Sequence, residues 1–170
     1  MSDETTARIT AFLDTHHVVS LATCGPNGPH AANVFYVRDG LALLWISDPA
    51  SRHSVELDAE PRIAATVAPD YCDFDDIRGV QISGEARRIT DPPERAHVRL
   101  MLEARYPFLG RLSEGPTALR DAYAHVEFYR LEPSQIVLID NSRGFGHKDI
   151  LDLRVIQPPF GSSQARECPQ

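Results

Sequence analysis

Residues 17–47, HVVSLATCGPNGPHAANVFYVRDGLALLWIS, decide the fold. The first eight are rich in β-branched residues, which suit a pleated, half-buried surface. GPNGP (25–29) breaks that run, and its Asn27-Gly28 pair accepts positive φ at little penalty. Asp39-Gly40 makes a second break between two further apolar runs. Three apolar stretches joined by two such turns predict an antiparallel meander over 17–47.

Working outward, residues 3–15 read as a short helix with Ile9, Phe12 and Leu13 on one face and Asp3 and Glu4 at its positive N-terminal end. After the meander, Asp48-Pro49 and a capping Ser51 open a helix over 51–59, and Pro61 closes it. RIAATVA (62–68) is a strand, PDYCDFDD (69–76) an acidic loop, and IRGVQISGEARRI (77–89) a long strand. Its apolar positions are Ile77, Val80, Ile82 and Ile89, and Gly79 and Gly84 mark a close approach or a bulge. DPPERAHVRLMLEARYP (91–107) enters a helix through a cap, Asp91, and two prolines, and offers Val98, Met101, Leu102 and Arg105-Tyr106 as its buried stripe. Residues 108–121 read as a loop with one helical turn, and 124–140 as two strands broken at Pro133. NSRGFGHK (141–148) is a turn before one short apolar piece, and 158–170 a loose tail on a single domain of 1–157. Six or seven strands in hairpin connectivity, without strand-helix-strand alternation, predict a mainly β, antiparallel barrel with flanking short helices.

Composition narrows the function. Hydrophobic content of 42% with 24% charged residues in 170 residues is that of a globular domain. A formal net charge of −7 argues against a nucleic-acid binder held by phosphate contacts. No stretch reaches the ~20 apolar residues of a membrane span, and the polar, acidic N-terminus does not resemble a secretory signal, so the expected compartment is the cytoplasm. Cys24, Cys72 and Cys168 form no C-x-x-C pair, and the seven histidines form no H-x-H or H-E-x-x-H, so no metal site is expected.

Two stretches carry candidate chemistry. In SDPASRHS (47–54), Ser47, Ser51, Arg52 and His53 gather hydroxyl, guanidinium and imidazole donors where a helix begins. Such a turn is either an anion site or a capped surface helix with two exposed basic residues. In NSRGFGHKD (141–149), the glycines around Phe145 either bring backbone donors and Lys148 to a planar or anionic ligand or make a plain glycine turn, the simpler reading. Arg78 and Gln81, three apart on one strand, face opposite ways unless Gly79 bulges it.

Taken together, HVVSLAT, HAANVFYV, LWISDPASRHSVEL, PRIAATV, IRGVQISGEARRI and DNSRGFGHK, in this order, resemble the pyridoxamine 5′-phosphate oxidase-like, FMN-binding split-barrel superfamily. More narrowly they resemble its YhbP-like subgroup, and the likeness spans residues 8–150. The resemblance implies a six-stranded antiparallel split barrel that forms a homodimer with FMN at the subunit interface. It implies Ser47, Ser51, Arg52 and His53 as phosphate donors, with His53 where the oxidases carry lysine. Asn33, Val34, Phe35, Tyr36, Trp45, Ile46 and Ser47 would fall on the strands that flank the flavin ring, with backbone groups near 34–36 and 46–48 around it. Gly79 stands where the oxidases place a ring-contacting glutamine, and Arg78, Gln81 and Lys148 are further polar contacts. The C-terminal Trp and Arg-x-His segment with which the oxidases grip substrate is missing, so oxidation of pyridoxamine phosphate is not expected. The expectation is an FMN-dependent oxidoreductase or flavin reductase for a small molecule, with NAD(P)H as electron donor. The rival readings are a non-catalytic flavin-binding or sensing barrel, or a barrel using the deazaflavin F420 or haem, with His16, His17, His30 and His147 as axial candidates.

Overall fold

The structure, a computed structural model, describes residues 2–112 and 114–154. The expected tail at 158–170, and Cys168 within it, lie outside the described residues. In chain order the elements are α1 (Ser2–Thr15), β1 (Val18–Gly25), β2 (Gly28–Phe35), β3 (Val37–Asp39), β4 (Ala42–Ser47), α2 (Arg52–Ala59), β5 (Arg62–Val67) and β6 (Arg78–Arg88). They continue with α3 (Pro92–Arg105), α4 (Phe108–Leu112), α5 (Thr117–Ala124), β7 (Glu127–Asp140), a single 3-10 turn (Asn141–Arg143) and β8 (Lys148–Asp152).

The strands form one antiparallel sheet in the order β2-β1-β5-β6-β7-β4-β3, with β8 added beside β7. Only Tyr36 separates β2 from β3, the two ends of that order, so the sheet curls round and a single bent strand closes it. Counting β2 and β3 as one, six strands make the barrel, as expected. The split lies along β7, whose first half pairs with β4 and whose second half pairs with β8.

The expected meander is present in modified form. β1 pairs with β2 through the Pro26-Asn27 turn, and β3 pairs with β4 through Gly40-Leu41. Positive φ is taken by Gly28 and Gly40. The bend at Tyr36 divides the middle strand between two neighbours. It is held because the Tyr36 hydroxyl donates to the carbonyl of Leu13 at 2.7 Å, while the Tyr106 hydroxyl donates to the carbonyl of Tyr36.

Alternation along the strands builds the core. Val19 and Leu21 of β1, Ile63, Ala65 and Val67 of β5, Val80, Ile82 and Ala86 of β6, and Ile136 and Leu138 of β7 all point into the barrel. Ile9 and Leu13 of α1 and Leu57 of α2 join that cluster. A second core lies outside the barrel, where Val98 and Leu102 of α3 and Leu109 of α4 cover Val37, Leu44 and Phe128. Asp91 caps α3 as its sequence predicts, accepting from the Glu94 N–H at 3.0 Å.

Two local expectations are corrected. Residues 108–121 hold α4 and most of α5, not a loop with one turn, because Leu109 finds a buried place in the second core. Residues 127–140 form one strand, not two broken at Pro133. The register slips between Ser83, opposite Gln135, and Gly84, opposite Pro133, so Ser134 is left over as a bulge beside the proline and the strand continues through it.

Candidate functional site

The SRHS turn is a compact hydroxyl and imidazole cluster. β4 ends at Ser47, and α2 starts five residues later with Ser51 at its N-cap. Ser51 does not cap the helix with its side chain, a correction to the expected role. Its hydroxyl instead donates to Ser54 Oγ at 2.8 Å and lies 3.3 Å from Ser47 Oγ. Both hydroxyls address one ring nitrogen: His53 Nε2 is 2.7 Å from Ser47 Oγ and 3.2 Å from Ser51 Oγ. His53 is only 8% exposed, and burial, followed by the neighbouring His30, holds its pKa below the usual histidine value. The first-turn N–H groups of α2 therefore have no side-chain cap, which leaves the positive end of the helix beside these donors.

Arg52 turns away from this cluster. Its Nε donates to Glu56 Oε1 at 2.7 Å and its Nη2 to the Gly28 carbonyl at 3.0 Å. The buried Glu56 carboxylate also accepts from the Thr23 hydroxyl at 2.6 Å. Thr23 first, then Arg52, hold the Glu56 carboxyl below its ordinary pKa. Arg52 thus fastens the β1–β2 hairpin to α2 and offers an anion its remaining nitrogen, Nη1.

The other predicted residues divide among several places. Tyr36 and Trp45 are fully buried, so their side chains are barrel core and not walls of a ligand site; alternation on a closed sheet turns them inward. Val34 and Ile46 are partly buried against the first and second cores respectively. Asn33, Phe35, Gly79, Gln81 and Lys148 share the outer surface of the sheet. Pairing aligns Asn33 with Ser20, Thr66, Gln81, Val137 and Ile150 in one transverse row. In the next row Phe35 lies beside Val18, and Gly79 beside Ile139 and Lys148. Several apolar side chains are uncovered there, with Phe35 49% and Ile150 60% exposed. The ladder from Arg78 to Ser83 is regular, so Gly79 makes no bulge and Arg78 and Gln81 face opposite ways. Arg78 ends at the far mouth of the barrel, 3.3 Å from the Asp140 carboxylate. Ser47 pairs with Glu127 and Arg78 with Asp140, the two ends of the 14-residue β7, so these two cannot share a ligand within one chain.

The glycine turn takes its simpler reading. The N–H groups of Gly144, Gly146 and His147 all donate within the turn, to the Asn141 carbonyl, Asn141 Oδ1 and the Gly144 carbonyl. None of these donors faces outward. Asn141 also clips the acidic loop, donating from its side chain to the Phe74 carbonyl at 3.1 Å.

Two residues were missed from sequence, Thr23 and Glu56, and His30 was singled out only as a candidate haem ligand. His30 lies on β2 with its ring 6.5 Å from that of His53 and nearly parallel to it. No spacing rule links positions 23, 30 and 56, since it is the folded β1–β2 hairpin that brings Thr23 and His30 to Glu56 and His53 on α2. A buried Glu four residues after Arg52 was the one readable signal, as an (i, i+4) pair.

An antiparallel sheet closed through a bent strand, split along β7 and carrying a donor-rich turn between β4 and α2, defines the split-barrel class. A family model described as pyridoxamine 5′-phosphate oxidase matches residues 5–130, and the chain belongs to that family. A UPF0306 protein of Klebsiella pneumoniae is 31% identical over 147 residues, covering 85% of this chain and 91% of that protein. Two solved structures share the fold. A heme binding protein from Mycobacterium smegmatis has a TM-score of 0.63 at 21% identity, over 83% of this chain and 55% of that one. A FAD-binding protein from Mesorhizobium loti has a TM-score of 0.59 at 20% identity, over 76% of this chain and 90% of that one. Among the described residues no helix is long and apolar enough to cross a membrane, and no group of three metal-ligating side chains is present.

Proposed function

We propose that this chain is an FMN-binding oxidoreductase of the split-barrel class, working as a homodimer and drawing electrons from NAD(P)H. The observation that carries the reading is the Ser47, Ser51 and His53 cluster at the uncapped start of α2, in a chain matched to the family over that segment. The donor set suits a phosphate: two hydroxyls and an imidazole cluster beside first-turn N–H groups, and Arg52, turned toward Glu56 and Gly28, keeps one guanidinium nitrogen free at the start of the same helix. When bound, the flavin would supply the hydride and electron chemistry. The chain's own part is to seat its phosphate and to present the outer sheet surface to the ring.

The same surface supports the dimer. Val18, Phe35 and Ile150 are uncovered around small or polar neighbours, Ser20, Ala22, Ala64, Thr66 and Gly79. A sheet with small side chains and an apolar border fits a second copy of itself closely. The expected sedimentation mass is twice the chain's 18.9 kDa. Ile150→Asp, at an exposed position, shifts that mass toward the monomer without changing the far-ultraviolet spectrum. A wild-type chain that sediments as a monomer contradicts the interface.

The visible spectrum of the purified protein tests the cofactor. Flavin bands, or quenching of added FMN fluorescence, support the reading; their absence at high protein concentration removes it. A Soret band favours haem instead, the ligand named for the Mycobacterium smegmatis relative in fold. Arg52→Ala is expected to weaken FMN binding by about 1.5–3 kcal/mol, roughly ten- to 150-fold in Kd. Fluorescence titration checks this, and an unchanged Kd returns Arg52 to its structural role beside Glu56.

A further inference from the structure

His30 and His53 approach each other from different elements, and neither the fold nor the expected phosphate donors explains the pair. Their rings stack at 6.5 Å with planes 11° apart, His30 from β2 and His53 from α2. His53 Nε2 already has two hydroxyl neighbours, Ser47 and Ser51. That arrangement has two hydrogen-bond polarities. A neutral ring can accept the Ser47 hydroxyl proton at Nε2, which points that hydroxyl away from any anion. A protonated ring must donate from Nε2 to a serine oxygen, which frees the serine proton for a ligand oxygen.

We infer that His30 and His53 make the phosphate seat proton-coupled: His53 is neutral in the empty turn, takes up one proton as a phosphate monoester dianion binds, and thereby favours monoesters over phosphodiesters. His30 is the positioning residue that sets the pH at which this happens. The inference rests on the proposed flavin-phosphate reading of the turn.

The charges around His53 agree with the geometry. His30 of β2 opposes a positive His53, and Glu56 of its own helix favours one. Glu56 is already engaged by Arg52 and by the hydroxyl of Thr23 from β1, and β4 contributes only the uncharged Ser47. Burial is the largest influence and also disfavours charge on the free ring. A lysine at position 53 would hold its charge across this range; the histidine holds it only with a dianion opposite.

The sign follows from linkage. Binding raises the His53 pKa from its depressed free value, so protons are taken up between the free and bound values, and affinity falls as pH rises through that interval. The phosphate works the other way, becoming a dianion only above its second pKa of about 6. A phosphodiester, with one charge, repays protonation of His53 less.

Calorimetric titration of the full chain with FMN, in two buffers of different ionisation enthalpy, tests this directly. At about pH 7.5 the wild type is expected to take up roughly one proton per FMN, and its Kd to rise several-fold per pH unit above that. His53→Lys abolishes the uptake and flattens the alkaline fall. His30→Gln removes the imidazole that opposes a positive His53 and moves the fall to higher pH. Riboflavin 4′,5′-cyclic phosphate, a phosphodiester with one charge on the same flavin, binds at least about tenfold more weakly with less proton uptake. FMN binding that depends on Arg52 but shows no proton uptake and no alkaline fall overturns the proton coupling and leaves the flavin site standing. FMN binding that is absent, or indifferent to Arg52 and His53 alike, overturns both.

Discussion

Trp45→Ala is expected to lower the unfolding free energy by about 3–5 kcal/mol, among the largest losses available to a single substitution in this chain. Trp45 is fully buried inside the barrel and stacks on Tyr129 with ring centroids 5.6 Å apart. Deleting the indole removes its buried area and leaves a cavity walled by strands that cannot collapse without breaking pairing. Trp45→Phe separates volume from polarity. The indole Nε1 is buried without a hydrogen-bond partner among the described residues, and an unmet buried donor costs about 1–3 kcal/mol. Phenylalanine loses some contact area but also removes that unmet donor, so its net change should stay within about 1 kcal/mol. Urea denaturation of the three proteins decides. The Phe variant should also bind FMN as the wild type does, because Trp45 belongs to the core. A Phe variant that folds normally but loses FMN would put the indole back in the ligand site.

Gly84→Ala is expected to destabilise the fold by about 3 kcal/mol, despite adding one methyl group. A Cβ at position 84 would come 2.2 Å from the Glu132 carbonyl oxygen and 3.0 Å from the Pro133 Cα. Both are backbone atoms of the paired strand, so relief requires β6 and β7 to separate where the register slips. Gly79→Ala is the matched control. Its new Cβ meets only the Val67 carbonyl at 3.4 Å and Ala68 Cβ at 3.5 Å, close to ordinary contact. The thermal midpoint of the Gly79 variant should therefore stay near that of the wild type while the Gly84 variant falls by several degrees. Equal shifts in the two would mean that the bulge yields readily.

These two glycines show how far a pattern in the sequence reaches. Both carry the same expectation, a bulge or a close approach. Gly84 meets it because Pro133 and Ser134 lie opposite, and no rule of spacing connects positions 84 and 133. Gly79 makes no bulge because its partner Ile139 sits in unbroken register. Trp45 and Tyr36 tell the same story for the site. Their motifs identify the strands correctly, but an apolar side chain on a buried strand has two directions available, and closure of the sheet chose inward for both.

Local chemistry was legible in the residues themselves: the Gly28 and Gly40 turns, the Asp91 cap, the alternating core positions, and the ordered motifs that mark the family. Each depends on neighbours in the chain, where backbone sterics and short-range hydrogen bonds act alone. The pairing of His30 with His53, the Glu56 carboxylate shared by Arg52 and Thr23, and the division of the expected ligand residues between a barrel mouth and an outer sheet surface came only with the tertiary structure. Those contacts join residues from separate strands and helices, and only closure of the barrel sets the distances between them.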